Sequence, residues 1–208
     1  MRIGNRKPTT LAAAVAALFM ACVTEPRGGA TDPQSSPPPQ TSPVSAPAAA
    51  APAANPVDVG SIDAILHAVY DTISGPAGQQ RDWNRFRSLF VSGARLIPVV
   101  PNPPGGFRTL QFSADEYAKH GDPYFQKNGF YEREVARRTE LYGNMAEVFS
   151  TYESRHGAAD PKPFDRGINS FQLMNDGHRW WIVTILWQGE TAESPIPKKY
   201  LPRESDSH

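Results

Sequence analysis

A single cysteine, Cys22, stands among the 208 residues, so no intrachain disulfide can staple this fold. Net charge is also lacking, because 21 basic residues balance 21 acidic ones. Residues 58–208 hold 17 basic and 19 acidic side chains, which leaves no electrostatic footprint for nucleic acid. The histidines, His67, His120, His156, His178 and His208, form no close His-x-His or His-x-x-x-His pair. With one cysteine, that argues against a transition-metal site. Neither a Gly-x-Ser-x-Gly elbow nor a phosphate loop occurs. No cofactor is expected. The apolar run from Leu11 to Ala21 is too short to span a bilayer as a permanent helix.

What is there begins with that run. Arg2, Arg6 and Lys7 precede it as a basic n-region, so residues 1–22 read as a secretory signal. Leu18-Phe19-Met20-Ala21-Cys22 resembles a bacterial lipobox, although Phe19 stands where that motif prefers Leu. The resemblance implies a lipidated Cys22 as the mature N-terminus. The alternative is cleavage after Ala21 with Cys22 an incidental thiol. Residues 23–57 are rich in Pro, Ala, Ser and Gln and nearly devoid of large apolar side chains. They cannot bury enough surface to offset ordering entropy and read as a disordered tether. The expected location is the bacterial cell envelope, with the membrane met only through the lipid. A soluble periplasmic or secreted chain is the alternative.

Residues 58–202 are expected to form one folded domain, followed by a polar tail at 203–208. Ser61 can cap a helix from Ile62 to about Ser74, closed by Gly75-Pro76. Asp82 can cap a short helix carrying Trp83, Phe86, Leu89 and Phe90, with Arg81, Arg85 and Arg87 toward solvent. A strand is expected over Arg95–Val100, then a loop and a brief pairing of Phe107–Phe112. Ser113 and Glu116 form a capping box for a helix to about Lys127, with a break near Asp122 imposed by Pro123. Four strands follow: Phe130–Tyr142, Met145–His156, Gly167–Met174 and Arg179–Gln188. Both alternating faces of the last strand are apolar, so both should meet protein or ligand. Helices followed by an antiparallel meander define an α+β class, a curved antiparallel sheet wrapped around N-terminal helices.

This order resembles the nuclear transport factor 2-like superfamily, which includes SnoaL-type polyketide cyclases and ketosteroid isomerases. The carriers are Trp83 to Phe90, Gly143 to Glu153 and Asp176 to Val183. The resemblance implies a cone with a pocket at one end. It also implies a homodimer through the convex sheet face, here Phe149, Trp181, Val183, Ile185 and Trp187.

A two-residue Gly143-Asn144 turn places Leu141 opposite Ala146, Thr139 opposite Val148, Arg137 opposite Ser150 and Val135 opposite Tyr152. The other side carries Glu134, Arg138, Glu140, Glu147 and Glu153 and is too charged for a core. The first set therefore faces inward. In the last hairpin the same logic sets Leu173 against Trp180, Phe171 against Ile182 and Asn169 against Thr184. The candidate ligand-binding residues are Arg137, Ser150, Tyr152, Asn169, Trp180 and Tyr117. Arg137 can clamp an anion or pair with Glu153, Asp115 or another acid. Tyr152 can donate to a developing oxyanion or be a packed sheet tyrosine. Acid–base chemistry would need a carboxylate beside Tyr152, Tyr70 or Tyr117, from Asp71, Asp115 or Asp165. None stands at a spacing that compels pairing. The sequence thus favours an exported domain binding a small apolar or weakly anionic molecule, or another protein, without evident catalytic machinery. The alternative is an isomerase, cyclase or dehydratase.

Overall fold

The structure, a computed structural model, describes residues 52–103 and 105–202. The expected signal segment, Cys22, the expected tether up to residue 51 and the tail at 203–208 lie outside the described residues. Helices α1 (Pro56–Val59), α2 (Ile62–Ile73) and α3 (Trp83–Ser88) open the domain, each held by a side-chain cap from Asn55, Ser61 and Asp82 respectively. Among the described residues the first helix starts at Pro56. Strand β1 (Phe90–Pro101) and the short β2 (Phe107–Thr109) precede α4 (Ala114–Lys127), which carries the full capping box of Ser113 and Glu116. Then come β3 (Tyr131–Tyr142), β4 (Met145–Arg155), β5 (Asp165–Asn175), β6 (Trp180–Gly189) and a 3-10 turn at Lys198–Tyr200.

The six strands form one curved sheet in the order β2-β1-β6-β5-β4-β3. All pairs are antiparallel except β1 with β6, which is parallel. The class is α+β, as the sequence implies, with a mixed rather than purely antiparallel sheet. Ile65, Leu66, Val69 and Ile73 of α2 and Phe86 of α3 pack on Val148, Phe171, Leu173 and Ile182 from the sheet. Among the described residues no helix is long and apolar enough to cross a membrane.

Two local expectations are corrected. Helix α4 runs unbroken through Pro123. Pro123 is exposed, so water can satisfy the carbonyl its missing N–H leaves free. Arg81 is buried rather than solvent-facing. Its guanidinium donates to the carbonyls of Ile73, Gly75 and Gln79 at 2.9, 2.8 and 2.9 Å, clasping the chain where α2 ends.

Register decides the site. The β3–β4 hairpin turns at Gly143-Asn144, with Gly143 at φ 54°. Leu141, Thr139 and Arg137 meet Ala146, Val148 and Ser150 as expected. Then a β-bulge inserts Val135, so Tyr152 faces Glu134 and Ser154 faces Glu132. One extra residue reverses the alternation, and two glutamates of the expected outer face turn inward. A second bulge shifts β6: Leu173 meets Ile182, but Phe171 meets Ile185 and Asn169 meets Trp187.

Candidate functional site

An apolar cavity of about 60 Å³ lies between the helices and the inner sheet face, room for roughly four or five water-sized groups. Helix α2 contributes Val69, Tyr70 and Ile73, while α4 contributes Tyr117, Tyr124 and Phe125. The sheet adds Glu132, Tyr152, Asn169, Phe171, Ile185 and Trp187. Helical periodicity aims the first two groups; in the third, regular alternation aims Tyr152, Asn169 and Phe171, and the two bulges aim Glu132, Ile185 and Trp187.

Glu132 is the polar centre. Its Oε2 accepts from Ser154 Oγ at 2.8 Å and its Oε1 from Asn169 Nδ2 at 3.4 Å. Asn169 also donates to Tyr70 Oη at 3.1 Å, and Tyr70 Oη lies 2.7 Å from Ser150 Oγ. Ser150 donates onward to Glu134, so Tyr70 is the donor to Ser150. On the other side Tyr152 Oη donates to Asp165 Oδ2 at 3.2 Å. Gly167 leaves room for this contact, since a Cβ there would stand 2.5 Å from the Tyr152 hydroxyl.

Burial sets the electrostatics. It pushes the Glu132 carboxyl up to about 7, helped by the charge of Asp165 and opposed by the bonds from Ser154 and Asn169. Burial likewise raises Asp165 to about 6, while the Tyr152 hydroxyl pulls the other way. The hydroxyls of Tyr70, Tyr117 and Tyr152 are all held above the usual phenol range, chiefly by burial. The cavity therefore pairs a carboxyl poised near neutrality with neutral phenols, a combination suited to proton exchange.

Of the expected ligand-binding residues, Tyr117, Tyr152 and Asn169 line the cavity. Ser150 is fully buried and acts one step away, through Tyr70. Trp180 pairs with Asn175 at the hairpin end and does not line the cavity; the longer turn, with Asp176 to Arg179 between the strands, moves it there. Arg137 lies outside the cavity, on a neighbouring cleft, ion-paired with Glu134 and Asp63. Asp71 and Asp115 pair with Arg85 and Arg87 instead of a pocket tyrosine.

The face expected to meet a partner is also redrawn. Ile185 and Trp187 line the cavity because the β6 bulge turns them inward. Phe149 does face outward, but the Tyr200 ring stacks on it at 5.5 Å. Trp181 bonds Asp176 at 2.7 Å and lies under the Arg179 guanidinium. Val183 stays half-buried at the bulge.

Sequence alternation does not reveal Glu132. In strict alternation it shares the charged side of β3 with Glu134 and Arg138, and nothing in the run Tyr131 to Tyr142 marks Val135 as the inserted residue. Among the described residues no group of three or more His, Cys, Asp or Glu is placed to hold a metal ion.

No family model and no curated protein matches the chain. Among solved structures it is similar to a protein of unknown function with a cystatin-like fold from Nostoc punctiforme, at 9% identity and TM-score 0.48 over 63% of this chain and 90% of that one. It is similar to a protein from Streptomyces avermitilis described as a candidate dehydratase of the nuclear transport factor 2-like family, at 14% identity and TM-score 0.47 over 65% and 97%. A third is a nuclear transport factor 2-like protein of unknown function from Silicibacter pomeroyi, at 14% identity and TM-score 0.43 over 63% and 94%. At such identities and TM-scores neither a family nor an activity follows from these likenesses.

Proposed function

We propose that this chain is an exported domain, held at the bacterial envelope through Cys22, that binds a small, mainly apolar molecule in the cavity and exchanges a proton with it through Glu132. The observation that carries the reading is Glu132 itself. A carboxyl near its neutral point stands among apolar and aromatic walls, with the neutral phenols of Tyr70 and Tyr152 close by. Such a group can remove a proton from carbon beside a carbonyl or return one, and a phenol can donate to the oxygen that gains charge. Isomerisation and dehydration both use that step. The basic n-region, the apolar run and Cys22 support export and tethering.

Small cyclic ketones incubated with the protein in D₂O test this directly. Deuterium should enter beside the carbonyl with the wild type, and Glu132→Gln should abolish the gain. Equal exchange in both proteins would overturn the role of Glu132.

A second reading keeps the binding and drops the chemistry. It is favoured by the fact that, among the described residues, no buried side-chain polar atom lacks a hydrogen-bond partner. Saturable binding of the ketone with no deuterium incorporation would select it.

A further inference from the structure

The cavity shares a wall with a second hollow. Tyr70 and Glu132 line both the cavity and a cleft of about 760 Å³ between α2, β3 and the loop at residues 158–160. The cleft is the wetter side, and Arg137 stands on it.

The guanidinium of Arg137 is held from one edge. Glu134 Oε1 accepts from its Nε at 2.8 Å and meets its Nη2 at 2.6 Å. Glu134 is itself fixed by the hydroxyl of Ser150, which bonds Tyr70. The remaining nitrogen, Nη1, donates to Asp63. Asp63 is 85% exposed against 24% for Arg137, so that last pair is screened by water and weak. The other cleft arginines, Arg133 and Arg155, share Glu153. Arg137 thus offers one fixed, exchangeable donor edge to the cleft, linked through Glu134 and Ser150 to the partition residue Tyr70.

We propose that cavity and cleft are two halves of one site for an amphiphilic carboxylate, whose apolar body enters the cavity past Tyr70 while its carboxylate displaces Asp63 from Arg137 Nη1. This deepens the function proposed above and rests on the cavity being a binding site. It gives Arg137 the task of selecting an anionic head group through a charge-assisted hydrogen bond from Nη1. Because of the bulge, the β4 partners of Arg137 and Glu132, Ser150 and Ser154, stand only four residues apart, about 13 Å of strand, so the ligand must be elongated.

The test is calorimetric titration of the full chain with decanoate, decanol and cyclopentenone. Decanoate should bind. Arg137→Gln should weaken it about tenfold or more, the loss expected of a charged hydrogen bond. Asp63→Asn, which removes the competing acid from an exposed helix turn, should tighten it several-fold. Decanol and cyclopentenone should respond to neither change. Because Asp63→Asn touches no core residue, it remains informative if Arg137→Gln fails to fold. Decanoate indifferent to both variants, or weakened by Asp63→Asn, would overturn the proposal. Cyclopentenone binding without decanoate binding would overturn it and leave the cavity reading standing. Neither probe binding would overturn both.

Discussion

Glu132 faces Ser154 across the β3–β4 pair and accepts its hydroxyl at 2.8 Å, on the inner side of the sheet. This contact exists because Val135 bulges out of register between Glu134 and Ala136. Without the bulge the same glutamate would stand in water. A one-residue insertion is thus what brings a carboxyl into an apolar cavity.

Stability should fall as pH rises through the acid range. Glu132 and Asp165 have folded values near 7 and 6, raised from 4.5 and 3.8. The folded protein therefore binds more protons than the unfolded chain within that window. The contribution of these groups is complete below the lower values and lost through the upper ones. Glu132→Gln should flatten the curve and stabilise the protein above neutrality by about 2 kcal/mol, after allowance for partial solvation. Thermal melts from pH 4 to pH 8 check this, and a variant that melts lower at pH 8 would contradict it.

Arg81 should be among the costliest positions to change. Replacing it by Met removes a buried guanidinium from the carbonyls of Ile73, Gly75 and Gln79. Leaving the Ile73 carbonyl without its donor and the Gly75 carbonyl with only the Phe130 N–H should cost about 3 kcal/mol. Urea unfolding measures it. A loss below about 1 kcal/mol would show that water or a neighbour takes over.

Gly167→Ala is a steric probe of the Tyr152–Asp165 contact. An added methyl would meet both the Gln188 carbonyl and the Tyr152 hydroxyl. The backbone carbonyl cannot swing away as a flexible side chain can. The variant should lose about 1–3 kcal/mol, the range for overpacking. It should also raise the Asp165 pKa, since the bond from Tyr152 holds it down. An unchanged melt would place Gly167 in a looser setting.

The outer sheet face carries its own cover. Tyr200 stacks on Phe149, its carbonyl accepts from Thr151, and the Lys199 carbonyl accepts from Arg138 at 3.1 Å. Ending the chain after residue 194 should uncover Phe149 and the neighbouring strands. Sedimentation should then show self-association of the shortened chain, with the intact chain monomeric. An intact chain that already dimerises would mean that the partner surface lies elsewhere on the sheet, or that the cover opens.

How far the sequence reached follows from where periodicity holds. The caps at Ser61, Asp82 and Ser113 lie in the sequence as local chemistry, and the structure keeps all three. The Gly143-Asn144 turn sets the β3–β4 register as far as Arg137. Tyr117 is legible from helical periodicity on α4, and Tyr152 and Asn169 from the alternation of β4 and β5, although the expected partners of both differ. Glu132 is not, because a bulge is a tertiary choice that leaves no mark in a run of alternating charges. The last hairpin failed for a related reason: Asp176-Gly177 suggests a short turn, while the chain makes a longer one and then bulges at Val183. Arg81 departs from the sequence expectation because residue type places arginine in water, whereas several carbonyls at a helix end can hold it inside.

The most direct measurement is a ¹³C NMR titration of the Glu132 side-chain carboxyl, assigned by comparison with Glu132→Gln. A carboxyl in the cavity, as described, titrates with a midpoint near 7, and the midpoint moves when cyclopentenone is added. A midpoint at the ordinary value of 4.5, indifferent to the probe, would put Glu132 in water and remove the basis for proton exchange at this site.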